Sequence, residues 1–319
     1  MSKDLKGETS KMIANKYELV APLGEGGMAS VYRGLTRGAA GFTCKVAIKR
    51  VLPNLAEDAA FVAMFVEEAR VASELQHPNI VQVHDFDRDA EGRYFIVMEW
   101  IDGIDLFGWI ESFKGQPTPW HEVAAIGVEM LRGLGAAHER VDANGKPAPV
   151  IHRDVSPQNV LLSVQGIVKL ADFGLARAAD RATMTAPGTI KGKLGYMAPE
   201  LVKRAPASPK SDLYSVGIVL WEALTGKRLF GGTDAYEQIK KILANQVPQL
   251  RDIRPDVPLP LSEIVHTALS FDPSNRFEHA EEMQRALASL LKNHTEPTDD
   301  RALARSIKDA MARRSRSKM

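Results

Sequence analysis

The chain has 319 residues, of which 45% are hydrophobic, enough to bury a sizeable core in one large two-part unit or two modest domains. Its 41 Lys and Arg nearly cancel 40 Asp and Glu, so no global field selects nucleic acid or an anionic membrane as partner. The only cysteine, Cys44, excludes an internal disulfide and a cysteine-based zinc cluster, and points to a reducing, cytoplasmic setting.

Residues 1–16 read as a polar extension without the apolar core of a signal peptide, and no later run approaches the ~20 apolar residues that span a bilayer. From Tyr17 to about Trp100 the pattern is β-rich: YELVAPLG, SVYRGL, KVAIKRVL, IVQVHDF and RYFIVMEW read as strands. One helix interrupts them, with Phe61, Phe65, Ala69 and Ala72 at helical spacing. After IDGIDL the chain turns helical, through VAAIGVEMLRGLGAAHER, SDLYSVGIVLWEALTG and ILANQ. The segment HTEPTDD reads as the exit from the folded unit, and 293–319 as a linker and basic tail expected to be a frayed, solvated helix end.

Two groups in the β-rich part carry phosphate chemistry. Gly24, Glu25, Gly26, Gly27, Met28, Ala29, Ser30 and Val31 form a glycine-rich turn between strands, preceded by Leu23, where backbone N–H groups can approach phosphate oxygens. An ordinary glycine hairpin is the bland alternative. Ala29 stands where a third glycine would complete the pattern, and its small side chain preserves the close packing. Lys49, in the run from Val46, sits to neutralise phosphates, and Glu68 on the following helix is the acid chosen to orient it. Its neighbour Glu67 points about 100° away around the helix.

Three further strings follow in order: HRDVSPQN from His152 to Asn159, DFG from Asp172 to Gly174, and APE from Ala198 to Glu200. With them the chain resembles the protein kinases from about Tyr17 to Leu291, and within that family the bacterial eukaryotic-like Ser/Thr kinases. The resemblance implies an α+β, bilobal protein-kinase fold over 17–292. Its small β-rich N-lobe would cover about 17–98, its hinge about 99–103, and its larger, mainly helical C-lobe about 104–292. It implies ATP and Mg²⁺ as cofactors, with Mn²⁺ an acceptable substitute, and proteins as substrates. Asp154 would be the catalytic base, and Asn159 and Asp172 the metal ligands. The backbone of Glu99 and Ile101 would meet the adenine edge, with Met98, Val31, Ala47 and Leu161 around the ring. Asp105 is placed for the ribose, although a first-turn helix acid accounts for it equally well. Glu200 with Arg276 would brace the large lobe, and Asp212 would support the catalytic loop.

Two departures stand out. Ser156 occupies the position where these kinases carry a lysine, and Lys193 the position where they carry a threonine, so Lys193 is expected to return the missing ammonium. A surface role for Lys193 beside Lys191 is the alternative. The polar loop VDANGKPAP, an insertion before Val150, is expected to bulge at the surface. Arg153 beside Asp154 implies activation by phosphate on the segment after Gly174, where Thr183, Thr185 and Thr189 are the hydroxyl residues before Lys191. Self-association would serve such autophosphorylation in trans. Ser156 alone favours the rival reading, a pseudokinase or ATP-binding scaffold. A small-molecule phosphotransferase is disfavoured by APE and Arg276.

Overall fold

The computed structural model describes residues 11–173, 194–232, 234–292 and 294–317, without the Glu68 and Ser317 side chains. The expected activation-segment threonines and Lys193 lie outside the described residues. Two compact units result, one from residues up to 76 together with 81–101, the other from 77–80 together with 102 onward.

The first unit is an antiparallel sheet with one long helix. Its strands are β1 (Lys11–Ile13), β2 (Tyr17–Glu25), β3 (Ala29–Arg37), β4 (Thr43–Val51), β5 (Val83–Arg88) and β6 (Tyr94–Glu99), in the order β1-β2-β3-β4-β6-β5. Because side chains alternate along a strand, one face of β4 and β6 carries Val46, Ile48, Phe95 and Val97 into a core shared with Tyr17 and Leu19. Gly34 opposes Val46 there, and a Cβ on it would collide with Ile48, so this glycine is fixed by packing. Helix α1 (Ala59–Ser73) starts where Asp58 accepts from the N–H groups of Ala60 and Phe61. It buries Phe61, Phe65 and Ala69 of the expected stripe, while Ala72 is half-buried.

The second unit is mostly helical. Strands β7 (Gly103–Asp105), β8 (Val160–Ser163) and β9 (Val168–Leu170) form its small sheet. Its helices are α2 (Leu106–Glu111), α3 (Trp120–His138), α4 (Pro199–Val202), α5 (Pro209–Thr225), α6 (Ala235–Ala244), α7 (Leu250–Ile253), α8 (Leu259–Ala268), α9 (Ala280–Lys292) and α10 (Asp300–Ser317). Helix α5 is the hub: it is buried on every side from Ser211 to Leu224, a span that is apolar on most of its surface and carries Asp212 and Glu222 as buried acids. A reciprocal Ser208–Ser211 cap begins it, and Gly226 with φ of 65° ends it. The VDANGKPAP loop is an exposed hairpin in which Asp142 Oδ1 accepts from the N–H groups of Asn144 and Lys146.

The tail departs from expectation. Residues 300–317 form a helix of 18 residues that buries Ala302, Leu303, Ile307 and Ala310, so the folded unit does not end near Leu291. Asp299 caps it by accepting from Ala302 N–H at 2.9 Å. Trp109 Nε1 donates to Ser306 Oγ at 3.1 Å, Ser306 also bonds Glu122, and the Arg313 guanidinium lies 4.6 Å from the Phe113 ring. The apolar stripe is narrow, two alanines with one leucine and one isoleucine among many bases, which is why a reading of composition misses it. Among the described residues no helix is long and apolar enough to cross a membrane.

Candidate active site

In the first unit, opposite residues of an antiparallel pair share a face. Val31 faces Lys49, Ala47 faces Met98, and Lys49 faces Ile96. The four residues expected around nucleotide, Val31, Ala47, Lys49 and Met98, thus lie on one face of the sheet, opposite the Ile48 core, and all are half-buried. The glycine turn joins β2 to β3, closed by Gly26 N–H to Ala29 C=O at 2.9 Å and by Ser30 Oγ to Glu25 at 3.0 Å. A Cβ at Gly24 would meet nothing within 4 Å, and one at Gly26 only a carbonyl oxygen at 3.8 Å. Neither glycine is required by packing inside the unit, and both leave an open backbone of the kind that suits a phosphate. Ala29 is buried, Met28 is half-buried, and Leu23 is 53% exposed. Glu99 commits its N–H to Gln82 C=O at 3.0 Å, and its carboxylate accepts from Gln82 N–H at 2.8 Å. Glu67 pairs with Arg70 at 2.6 Å on the exposed side of α1.

In the second unit the loop between α3 and β8 is held from beneath by Asp212, 1% exposed at the start of α5. Its Oδ2 accepts from His152 N–H and its Oδ1 from Arg153 N–H, both at 2.8 Å. His138 Nε2 lies 2.8 Å from the same Oδ2, a support that sequence reasoning missed although His138 ends the GLGAAH run. These bonds hold Arg153 at φ 66°, a left-handed conformation that a non-glycine residue adopts only when its surroundings impose it.

His152 is the second structural centre. Its Nε2 lies 3.0 Å from Ala171 C=O, its Nδ1 3.3 Å from Asp154 N–H, and its ring packs 4.4 Å from Phe173. Only the neutral ring protonated at Nε2 satisfies both contacts, since Nδ1 must accept. Burial pushes the imidazole pKa down, which holds it in that form.

Asn159 ties the site together. Its Nδ2 donates to Asp154 C=O at 2.8 Å and to Asp154 Oδ2 at 2.9 Å, while its own C=O accepts from Ala171 N–H at 2.9 Å. With the amide nitrogen so committed, the amide oxygen is the atom left to face a cation. Asp172, next to Ala171, has φ of 63°. An amide oxygen and a half-buried carboxylate are hard oxygen donors of the kind that suits magnesium, and the segments that carry them are joined by the Ala171–Asn159 backbone bond. Ser156 is 3% exposed, and its C=O accepts from Asn159 N–H.

Asp105 and Leu161 are cross-strand partners in the β7–β8 pair. Asp105 caps α2, accepting from Gly108 N–H at 2.7 Å. Burial raises its pKa, while Gly108 and the nearby Arg314 of α10 oppose the rise. Farther out, Arg276 meets Glu200 in a double contact at 2.7 and 2.8 Å. Its other N–H groups donate to the carbonyls of Ser270, Lys210 and Phe271, so all five guanidinium protons are used in a side chain with 0% exposure.

The family model "Protein kinase domain" matches residues 17–288. The chain belongs to the protein kinase family. It is 39% identical over 280 residues to the tyrosine-protein kinase MasK of Myxococcus xanthus, covering 87% of this chain and 43% of that one. It is 34% identical over 280 residues to the serine/threonine-protein kinase PrkC of Bacillus subtilis, covering 86% and 40%. With PknL of Mycobacterium tuberculosis, named a serine/threonine-protein kinase, it shares 36% over 282 residues, covering 88% and 67%. The chain thus spans less than half the length of MasK and of PrkC. The crystal structure of the Mycobacterium tuberculosis PknI kinase domain superposes with a TM-score of 0.66 at 29% identity, covering 89% of this chain and 99% of that one. The kinase match stops at 288, so helix α10 lies beyond it.

Proposed function

We propose that this kinase domain transfers the γ-phosphoryl group of ATP to Ser and Thr hydroxyls of proteins, with Asp154 as the base that receives or orients the hydroxyl proton. The observation that carries the reading is the pair of hydrogen bonds that Asn159 Nδ2 donates to the carbonyl and the carboxylate of Asp154. It fixes the position and orientation of the Asp154 carboxylate, as a group that must receive or orient a hydroxyl proton requires. Asn159 and Asp172 would hold Mg²⁺, which supplies charge neutralisation for the transferring group. The glycine turn would receive phosphate oxygens on its backbone N–H groups, and Lys49 would add a positive charge, oriented by Glu68. Val31, Ala47, Met98 and Leu161 would enclose the adenine, the backbone of Glu99 and Ile101 would read its edge, and Asp105 would meet the ribose. Lys193 would supply near Asp154 the cation that Ser156 lacks.

Activation by autophosphorylation at Thr183, Thr185 or Thr189 belongs to the same proposal. Arg153, whose backbone is locked to Asp212, would pair with the phosphate. The domain boundaries that fit this reading are 17–292, with α10 as an added element. The acceptor class is tested by incubating the protein with labelled ATP and Mg²⁺ and hydrolysing it to phosphoamino acids. Phosphothreonine and phosphoserine are expected. Label confined to phosphotyrosine would overturn the Ser/Thr assignment and align the chain with what MasK is named for.

A further inference from the structure

The linker between α9 and α10 crosses the start of α3, and there a second cluster of metal-binding side chains assembles away from the Asp154 loop. His121 Nε2 lies 3.1 Å from Glu296 Oε2. The His121 and His294 rings approach to 4.6 Å at an interplanar angle of 36°, and Trp120 packs on His294 at 4.6 Å. One donor atom from each of His121, His294 and Glu296 falls within 4.8 Å of the others. His294 Nε2 is buried and has no hydrogen-bond partner among the described residues.

We propose that His121, His294 and Glu296 form a three-ligand Zn²⁺ site that pins the α9–α10 linker to the start of α3. A His–carboxylate hydrogen bond alone would need only His121 and Glu296. It leaves two facts without a cause: a second imidazole brought against the first, and a ring nitrogen buried without a partner among the described residues, which is costly. A shared cation removes both, because each imidazole then directs a lone pair at the same centre. In tetrahedral zinc sites with Zn–N near 2.0–2.1 Å, neighbouring donors sit about 3.3 Å apart. The His121–Glu296 pair is already close to that spacing, and a donor atom of His294 lies within 4.8 Å of both. Two imidazoles and one carboxylate, with a fourth position open to solvent beside the 65% exposed Glu296, match zinc better than the all-oxygen sets that hold magnesium. The positive end of α3 opposes a cation here, and the Glu296 carboxylate offsets it. The consequence is mechanical: the ion would fasten the linker from which α10 departs, so the docking of α10 would depend on metal. This site is independent of the catalytic reading.

The test uses the full chain, stripped of metal and kept in excess Mg²⁺ to saturate the oxygen-donor site. Co²⁺ is added and the visible absorption of tetrahedral cobalt followed, then Zn²⁺ is added in competition. One equivalent of Co²⁺ is expected to give the band and Zn²⁺ to abolish it. His121→Ala and His294→Ala should each weaken binding by more than about a hundredfold, beyond the 10–100-fold effect of an outer-shell partner. Glu296→Ala, at an exposed side chain, keeps the test open should a histidine variant fail to fold. In the unaltered chain Zn²⁺ should also slow proteolysis of the 293–299 linker, and in Glu296→Ala it should not. No tetrahedral band in the unaltered chain, or a band that survives all three substitutions, would overturn the proposal.

Discussion

At the scale of single residues, the loop around Asp154 is governed by which atoms must accept and which must donate. His152 is an instance: its Nδ1 accepts from Asp154 N–H, so a proton on that nitrogen would turn an attraction into a clash. Burial moves its pKa down from the ordinary histidine value of about 6.5. The sign for stability follows. Below about pH 6.5 the unfolded chain takes up a proton that folded His152 refuses, so this group makes the fold lose stability as pH falls from there. The His152 imidazole resonances should therefore not move between pH 7.5 and 6, and a titration midpoint near 6.5 would contradict the account. The glycines of the turn make a second residue-scale prediction. A side chain at Gly26 meets almost nothing in the protein, so Gly26→Val should leave the melting temperature within about 2 °C, a surface-like change of ~0.5 kcal/mol or less. It should weaken ATP binding at least tenfold by blocking phosphate approach. Equal ATP affinity in the two proteins would mean that the turn is only a hairpin. Much of this scale was legible beforehand, because strings such as HRDVSPQN place the polar atoms within a few residues of one another. His138 was not, since its role comes from Asp212, which lies 74 positions away in sequence.

At the scale of elements, periodicity was a good guide where the apolar stripe is wide and made of large residues. The Phe61–Phe65–Ala69 stripe of α1 is buried as spaced, and α5 is apolar enough to read as an interior helix. Helix α10 failed as an expectation because Ala302, Leu303, Ile307 and Ala310 are two alanines and two larger residues in a strongly basic frame. Its docking is decided by partners elsewhere, Trp109, Phe113 and Glu122, that no local window contains. Ile307 is 1% exposed, so Ile307→Ala should lower unfolding free energy by about 2–5 kcal/mol if α10 unfolds with the rest of the unit. Urea denaturation checks this, and no change in midpoint would mean that the helix is only loosely attached. The Glu200–Arg276 pair makes a stronger prediction. Glu200→Ala leaves a fully buried guanidinium without its countercharge, a loss of about 3–5 kcal/mol by the same measurement.

At the scale of the whole molecule, family membership rests on a match spanning residues 17–288 and on a kinase-domain structure that superposes over 89% of the chain. The order of the motif strings made this fold class legible from sequence, because each string needs its own structural context to be useful. The acceptor was less legible. MasK is named for tyrosine and PrkC and PknL for serine and threonine, and identities of 34–39% do not separate them. The activity itself has one decisive test: transfer of labelled γ-phosphate from ATP with Mg²⁺, comparing the unaltered protein with Asp154→Asn at matched ATP occupancy. Loss of the base should lower turnover by about 10²–10⁴-fold while nucleotide affinity changes little. Turnover unchanged in Asp154→Asn would contradict the assignment of the base, and no transfer by the unaltered protein despite ATP binding would contradict the account as a whole and favour a nucleotide-binding scaffold.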